Sequence, residues 1–130
     1  MSVVEEKILK PKQYQKMIQE LDIENFELKT SSIFEAKLTL IAIKRLEEEL
    51  LEIKRSVSAD MRSIKLKYIG HDYSKSSFFG LKKANVVAKR KSLNNKCNRE
   101  LVPYDNLLFI IDDYIKQIED VKDYISDIKA

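Results

Sequence analysis

The sequence predicts an all-α fold, an antiparallel helical bundle or coiled-coil hairpin built on one long central helix. Three observations carry this expectation. Only two Gly and two Pro occur in 130 residues, whereas a sheet protein of this size needs a turn about every ten residues and the residues to make it. Charged residues make up 35% and hydrophobic ones 44%, with Lys, Glu, Leu and Ile abundant, as in chains made of helices joined by few loops. Apolar residues also recur at heptad spacing over a long window. The length fits a single domain, residues 1–130, long enough to bury roughly two-thirds of its unfolded surface on folding.

Four helical segments are expected, over about 11–21, 32–69, 81–101 and 103–129. The first is short, and Pro11 suits its first turn, where the missing N–H has no intrahelical partner to lose. The polar stretch "DIENFELKT" separates it from the second, which opens at "SSIFE". There Ser32 can cap the helix while Glu35, three residues on, reaches back to it. From Ile43 the seam runs through Leu46, Leu50, Ile53 and Val57 in steps of three and four, the mark of a helix packed lengthwise on others.

After Val57 the seam moves to Met61, Ile64 and Tyr68. Two successive steps of four make a stutter, which locally relaxes supercoiling. It falls on "SVSAD", a cluster of weak helix formers. An unbroken helix over 32–69 spans about 57 Å, against a radius of gyration of about 14 Å for a compact chain of this length. Either the helix breaks near 56–60, or it projects and pairs, most simply with a second copy in a homodimer. The well-formed seam on both sides of the stutter favours projection.

Gly70 is a natural helix stop, and "HDYSKSSFFG" reads as a loop ending at Gly80. Helix then resumes in "LKKANVVAKRKSLNNKCNREL". The residue before Pro103 is biased away from helix, so "LVPYDN" is expected to interrupt it. The last segment carries Leu108, Ile111, Ile115, Ile118, Val121, Ile125 and Ile128 on one face. Asp112, Asp113, Glu119, Asp120, Asp123 and Asp127 lie on the other, making it cleanly amphipathic.

Charge is strongly divided. Residues 62–99 hold eleven Lys or Arg and one acid, Asp72, a net charge of +10, while the rest of the chain carries −7, for +3 in all. A field of this kind recruits partners of opposite sign. The basic helix is not an ordinary amphipathic one. At about 100° per residue Val86, Leu93, Cys97 and Leu101 share a sector about 80° wide, yet Arg90 lies in its middle and Lys83 at its border. Positive charge thus surrounds the segment, which suits an extended anion such as a phosphate backbone. Lys82, Lys83, Lys89, Arg90, Lys91, Lys96 and Arg99 are the candidate contacts, with Tyr68, Tyr73, Phe78 and Phe79 nearby as rings on which bases could stack. The competing reading is self-neutralisation, the basic helix lying against "EEELLE" and the acidic face of the last helix, within one chain or across a dimer. Exposed pairs of that kind contribute about 0–1 kcal/mol each.

Catalytic and metal chemistry find little support. His71 is the sole histidine and Cys97 the sole cysteine, so no transition-metal site of three or four such ligands assembles, and no cofactor is expected. "GHDYS" places His, Asp, Tyr and Ser side by side, but neighbours in a loop point apart. A small helical nuclease using His71 is the one catalytic alternative. Cys97, beside Lys96 and Arg99, reads as an apolar filler, or as a thiol activated by its cationic neighbours. There is no glycine-rich phosphate loop.

A lone cysteine excludes an intrachain disulfide and points to a reducing, cytoplasmic setting. "MSVVEEKILKPK" places two glutamates where a secretion signal would be apolar, and the longest apolar runs, "LIAI" and "LLFII", are far short of the roughly 20 residues of a membrane span. The expectation is a non-enzymatic helical interaction protein contacting nucleic-acid phosphates through 62–99. The rival is an assembly or adaptor module whose basic helix meets acidic helices of itself or of an acidic protein partner.

Overall fold

The computed structural model describes residues 8–75 and 83–129, with side chains over 8–69 and 88–127. It is all-α: α1 (Pro11–Glu20), a 3₁₀ turn at Ile23–Asn25, α2 (Ile33–Lys75) and α3 (Lys83–Lys129). Pro11 occupies the first turn of α1, and the Gln13 side chain accepts the Lys10 N–H at 2.7 Å. The helix ends where Asp22 turns left-handed (φ 54°, ψ 43°), a conformation Asp tolerates better than most residues. Its carboxylate then accepts from Asn25 Nδ2 at 2.7 Å.

At the start of α2, Ser32 Oγ accepts the Glu35 N–H at 3.1 Å. The return contact differs from the expected box: the Glu35 carboxylate takes the N–H and hydroxyl of Ser31, one residue earlier. Beyond it α2 runs unbroken for 43 residues and α3 for 47, about 64 and 70 Å at 1.5 Å per residue. The two lie antiparallel, as three contacts fix. Lys122 Nζ meets Glu47 Oε1 at 3.0 Å, Lys54 Nζ meets Asp112 Oδ1 at 2.7 Å, and Tyr68 donates to Glu100 Oε1 at 2.9 Å.

Between them Ile43, Leu50, Ile53, Val57, Met61 and Ile64 of α2 are buried against Leu101, Tyr104, Leu107, Ile111, Ile118 and Ile125 of α3, with Leu46 half-buried. The seam read from Ile43 to Val57 is therefore satisfied inside one chain. A partner helix of matching length comes from α3, which removes the argument from length for a second copy.

Four boundaries are settled. First, of the two alternatives at 56–60 the favoured one, an unbroken helix, is what is seen, and Ser56 and Asp60 hold α1 there: Tyr14, completely buried, has its hydroxyl bonded to Asp60 and to Ser56 Oγ (2.7 Å). Asp60 also accepts the Leu9 N–H at 3.1 Å, and Tyr104 donates to the Leu9 carbonyl at 2.8 Å. Secondly, Gly70 does not stop α2, which continues to Lys75. A helical glycine costs only about 1 kcal/mol relative to Ala. The loop expected over 71–80 is thus helical to residue 75, and its remainder, with Phe78 and Phe79, lies outside the described residues. Thirdly, Pro103 does not separate two helices but sits inside α3. Packing of Cys97, Leu101, Tyr104 and Leu107 in the core on both sides of it outweighs one missing backbone hydrogen bond. Fourthly, the first helix stops one residue short of Leu21, which is a turn.

α1 and the segment after it cover part of the hairpin only. Ile18 is buried against it, Tyr114 donates to Glu24 at 3.3 Å, and Thr39 donates to the Lys29 carbonyl at 2.9 Å. The covered part runs from about Asp60 and Tyr104 toward the start of α2 and the end of α3. Beyond it, among the described residues, the hairpin consists of two helices.

Candidate nucleic-acid interface

Antiparallel pairing decides where the charge goes. With Tyr68 opposite Glu100 and Glu47 opposite Lys122, the basic part of α2 lies beside the basic part of α3, in the two-helix end of the hairpin. Arg62, Lys65 and Lys67 from α2 and Lys89, Arg90, Lys91, Lys96 and Arg99 from α3 are all exposed there. Apart from Glu100, the acidic residues of α3 lie toward the other end, where Lys54 and Lys122 meet three of the hairpin's acids, Asp112, Glu47 and Glu119. Among the described residues, no ion pair engages Arg62, Lys65, Lys67, Lys89, Lys91, Lys96 or Arg99.

Of the seven contacts expected from sequence, five are brought together as exposed side chains: Lys89, Arg90, Lys91, Lys96 and Arg99. Lys83 opens α3 but its side chain lies outside the described residues, as do Lys82 and the side chains of His71 and Tyr73.

The two basic segments border a groove of about 540 Å³. Lys65, half-buried Tyr68 and exposed Ile69 line it from α2. Arg90, half-buried Leu93 and the amides Asn94 and Asn98 line it from α3, with Cys97 and Leu101 also bordering it. Tyr68 is held in place by Glu100, and that hydrogen bond raises its hydroxyl above the ordinary tyrosine value. Sequence reading missed Lys65, Asn94 and Asn98 as lining residues. Their convergence depends on the register between two helices distant in sequence, which no local pattern encodes.

Cys97 is buried, and burial followed by the nearby Glu100 charge pushes its thiol up, outweighing the lowering by Lys65. A raised thiol is a poorer nucleophile at neutral pH, so the activated-thiol alternative is not favoured. A second crevice, of about 440 Å³, lies where α1 ends against Leu107 and Tyr114. Asp22 and Glu24 give it the opposite sign, and no Lys or Arg lines it. Among the described residues no group of three or more His, Cys, Asp or Glu could hold a metal ion, and no helix is long and apolar enough to cross a membrane.

Comparison with protein-family models, with curated protein sequences and with solved structures finds no match to this chain.

Proposed function

We propose that this protein is a non-enzymatic, cytoplasmic helical interaction protein whose basic end contacts the phosphates of nucleic acid. One observation carries the reading: the hairpin lays two positive segments side by side instead of setting them against its own acids. Like charges on adjacent helices repel within the screening length, about 8 Å at physiological salt, and among the described residues no ion pair offsets this at Arg62, Lys65, Lys67, Lys89, Lys91, Lys96 or Arg99. An extended polyanion removes the repulsion and releases its counterions on binding.

The test is binding of labelled nucleic acid across a salt series, with the triple variant Lys89→Ala, Arg90→Ala, Lys91→Ala in parallel. All three side chains are exposed, so helix content by circular dichroism should be unchanged. Binding should weaken to a similar degree for every sequence, and the slope of log K against log salt should flatten by about 0.7–0.9 for each phosphate that the variant no longer neutralises. Absence of binding at low salt would sink the reading, and so would a weakening confined to one sequence.

A second reading, assembly through an apolar face and not through the basic helix, rests on a different observation. Phe34, Leu38 and Ile41 are 70%, 51% and 58% exposed and recur at helical spacing, so they share one outer face at the start of α2. Such a stripe suits assembly on another helix. Self-association that disappears in Phe34→Ser but persists in the triple alanine variant would place assembly at that end of the hairpin.

A further inference from the structure

We infer that the groove between the basic ends of α2 and α3 takes an unpaired base, so that the ligand is single-stranded nucleic acid. This inference rests on the phosphate-binding reading and names the form of nucleic acid it requires. A surface that tracks phosphates alone needs cations and no more. Here the cations border a cleft with a different lining: a tyrosine, four apolar side chains (Ile69, Leu93, Cys97 and Leu101) and two side-chain amides.

Each part has a use for a base and little use for a backbone. Tyr68 supplies an aromatic ring, and its hydroxyl is already engaged by Glu100, which fixes the side chain before any ligand arrives. Ile69, 50% exposed, and Leu93 widen the apolar surface beside it. Apolar side chains left this open to water gain from being covered by a flat hydrophobic ring. Asn94 and Asn98 stand one turn apart on α3, and each amide offers donors and an acceptor to the edge of a base. Lys65 and Arg90 approach from opposite helices, where they can hold the flanking phosphates. Bases in a duplex are stacked and paired, so only a strand with splayed bases can use such a cleft. The volume, about 540 Å³, lies within the range of small-ligand sites.

The Glu100 carboxylate is the one acid beside this cleft among the described side chains. It is occupied by the Tyr68 hydroxyl, and it disfavours a phosphate at that spot, which leaves the phosphates to the Lys65 and Arg90 sides.

The test compares three labelled probes of equal length on the full chain: a single strand, the same strand with its bases replaced by abasic sites, and a blunt duplex. Each is made as DNA and as RNA. The single strand should bind at least about fivefold tighter than the abasic strand, the low end of what one stacked base contributes. Tyr68→Leu, which keeps apolar bulk, should abolish that difference while leaving the salt slope unchanged, and Tyr68→Phe should keep it. Equal affinity for the normal and abasic strands overturns the groove but leaves phosphate binding standing. Tighter binding to the duplex overturns it likewise. No binding to any probe removes both readings at once. A preference confined to the RNA or the DNA strand supports the groove and identifies which sugar the neighbouring contacts accept.

Discussion

Tyr14 shows how much one side chain can fasten. Its ring is buried against the hairpin and meets Tyr104 edge-on, with centroids 6.5 Å apart. Its hydroxyl joins Asp60 and Ser56, and Asp60 in turn holds the Leu9 N–H. Among the described residues, no buried side-chain nitrogen or oxygen lacks a partner, so the cluster is fully satisfied and any deletion leaves a group wanting. Burial first, and then hydrogen bonding to Asp60, pushes the Tyr14 hydroxyl up to about 12. The folded protein thus favours the neutral phenol. Its contribution to stability is complete below pH 10 and is lost as pH rises from 10 toward about 12, where the unfolded chain has given up the proton and the folded one has not. That interval corresponds to roughly 2–3 kcal/mol. Burial raises Tyr104 and Tyr114 in the same direction. Urea midpoints should therefore fall steeply above pH 10, and Tyr14→Phe should show a shallower fall. At neutral pH the variant should be less stable by about 1–3 kcal/mol, the worth of a hydrogen bond to a charged group. Identical alkaline slopes for the two proteins would mean that Tyr14 titrates as it does in water.

Pro103 is the clearest disagreement between an element and its local sequence. It lies exposed within α3 and supplies no N–H to the carbonyl four residues back, yet the helix carries on from Lys83 to Lys129. A proline in a helix interior costs about 3 kcal/mol. Pro103→Ala should accordingly raise stability, by about 1–3 kcal/mol once the looser unfolded chain is counted. A lower urea midpoint would show instead that Tyr104 and Leu101 depend on the geometry the proline imposes. The same contest explains which elements could be read beforehand. The seam from Ile43 to Val57 was legible because burial against a single helix repeats every three or four residues. Leu107, 1% exposed, was left out of the core stripe although at about 100° per residue it lies in line with Ile118 and Ile125, so periodicity alone could have found it. Gly70 and Pro103 misled because both act on one residue's backbone, and packing over many residues outweighs them. The groove was legible only in part. Arg90 and Tyr68 stood out by composition, whereas Lys65, Asn94 and Asn98 acquire meaning as lining residues only when α2 and α3 are set in register.

The whole molecule is polar in two senses that coincide. One end of the hairpin has three layers of packing, buried tyrosines and ion pairs such as Lys54–Asp112 and Glu47–Lys122. The other has two helices and a groove, with eight exposed cations and Glu100 among the described side chains. Local stability follows buried contacts, so the amides of α2 from Thr39 to Ile64 and of α3 from Leu101 to Ile125 should exchange with solvent most slowly. Those of the basic end should exchange fastest. Salt separates the electrostatic part of this difference from the packing part. Going from about 0.1 M to about 1 M shortens the screening length from about 10 Å to about 3 Å, which relieves repulsion among the cations while weakening exposed ion pairs only slightly. Exchange at residues 65–69 and 88–99 should therefore slow in high salt, and exchange at the packed end should change little. A bound polyanion should produce the same selective protection at low salt, because it neutralises the same charges directly. If salt slowed exchange uniformly along both helices, repulsion would not be what loosens the basic end, and the charge there would carry no strain for a partner to relieve.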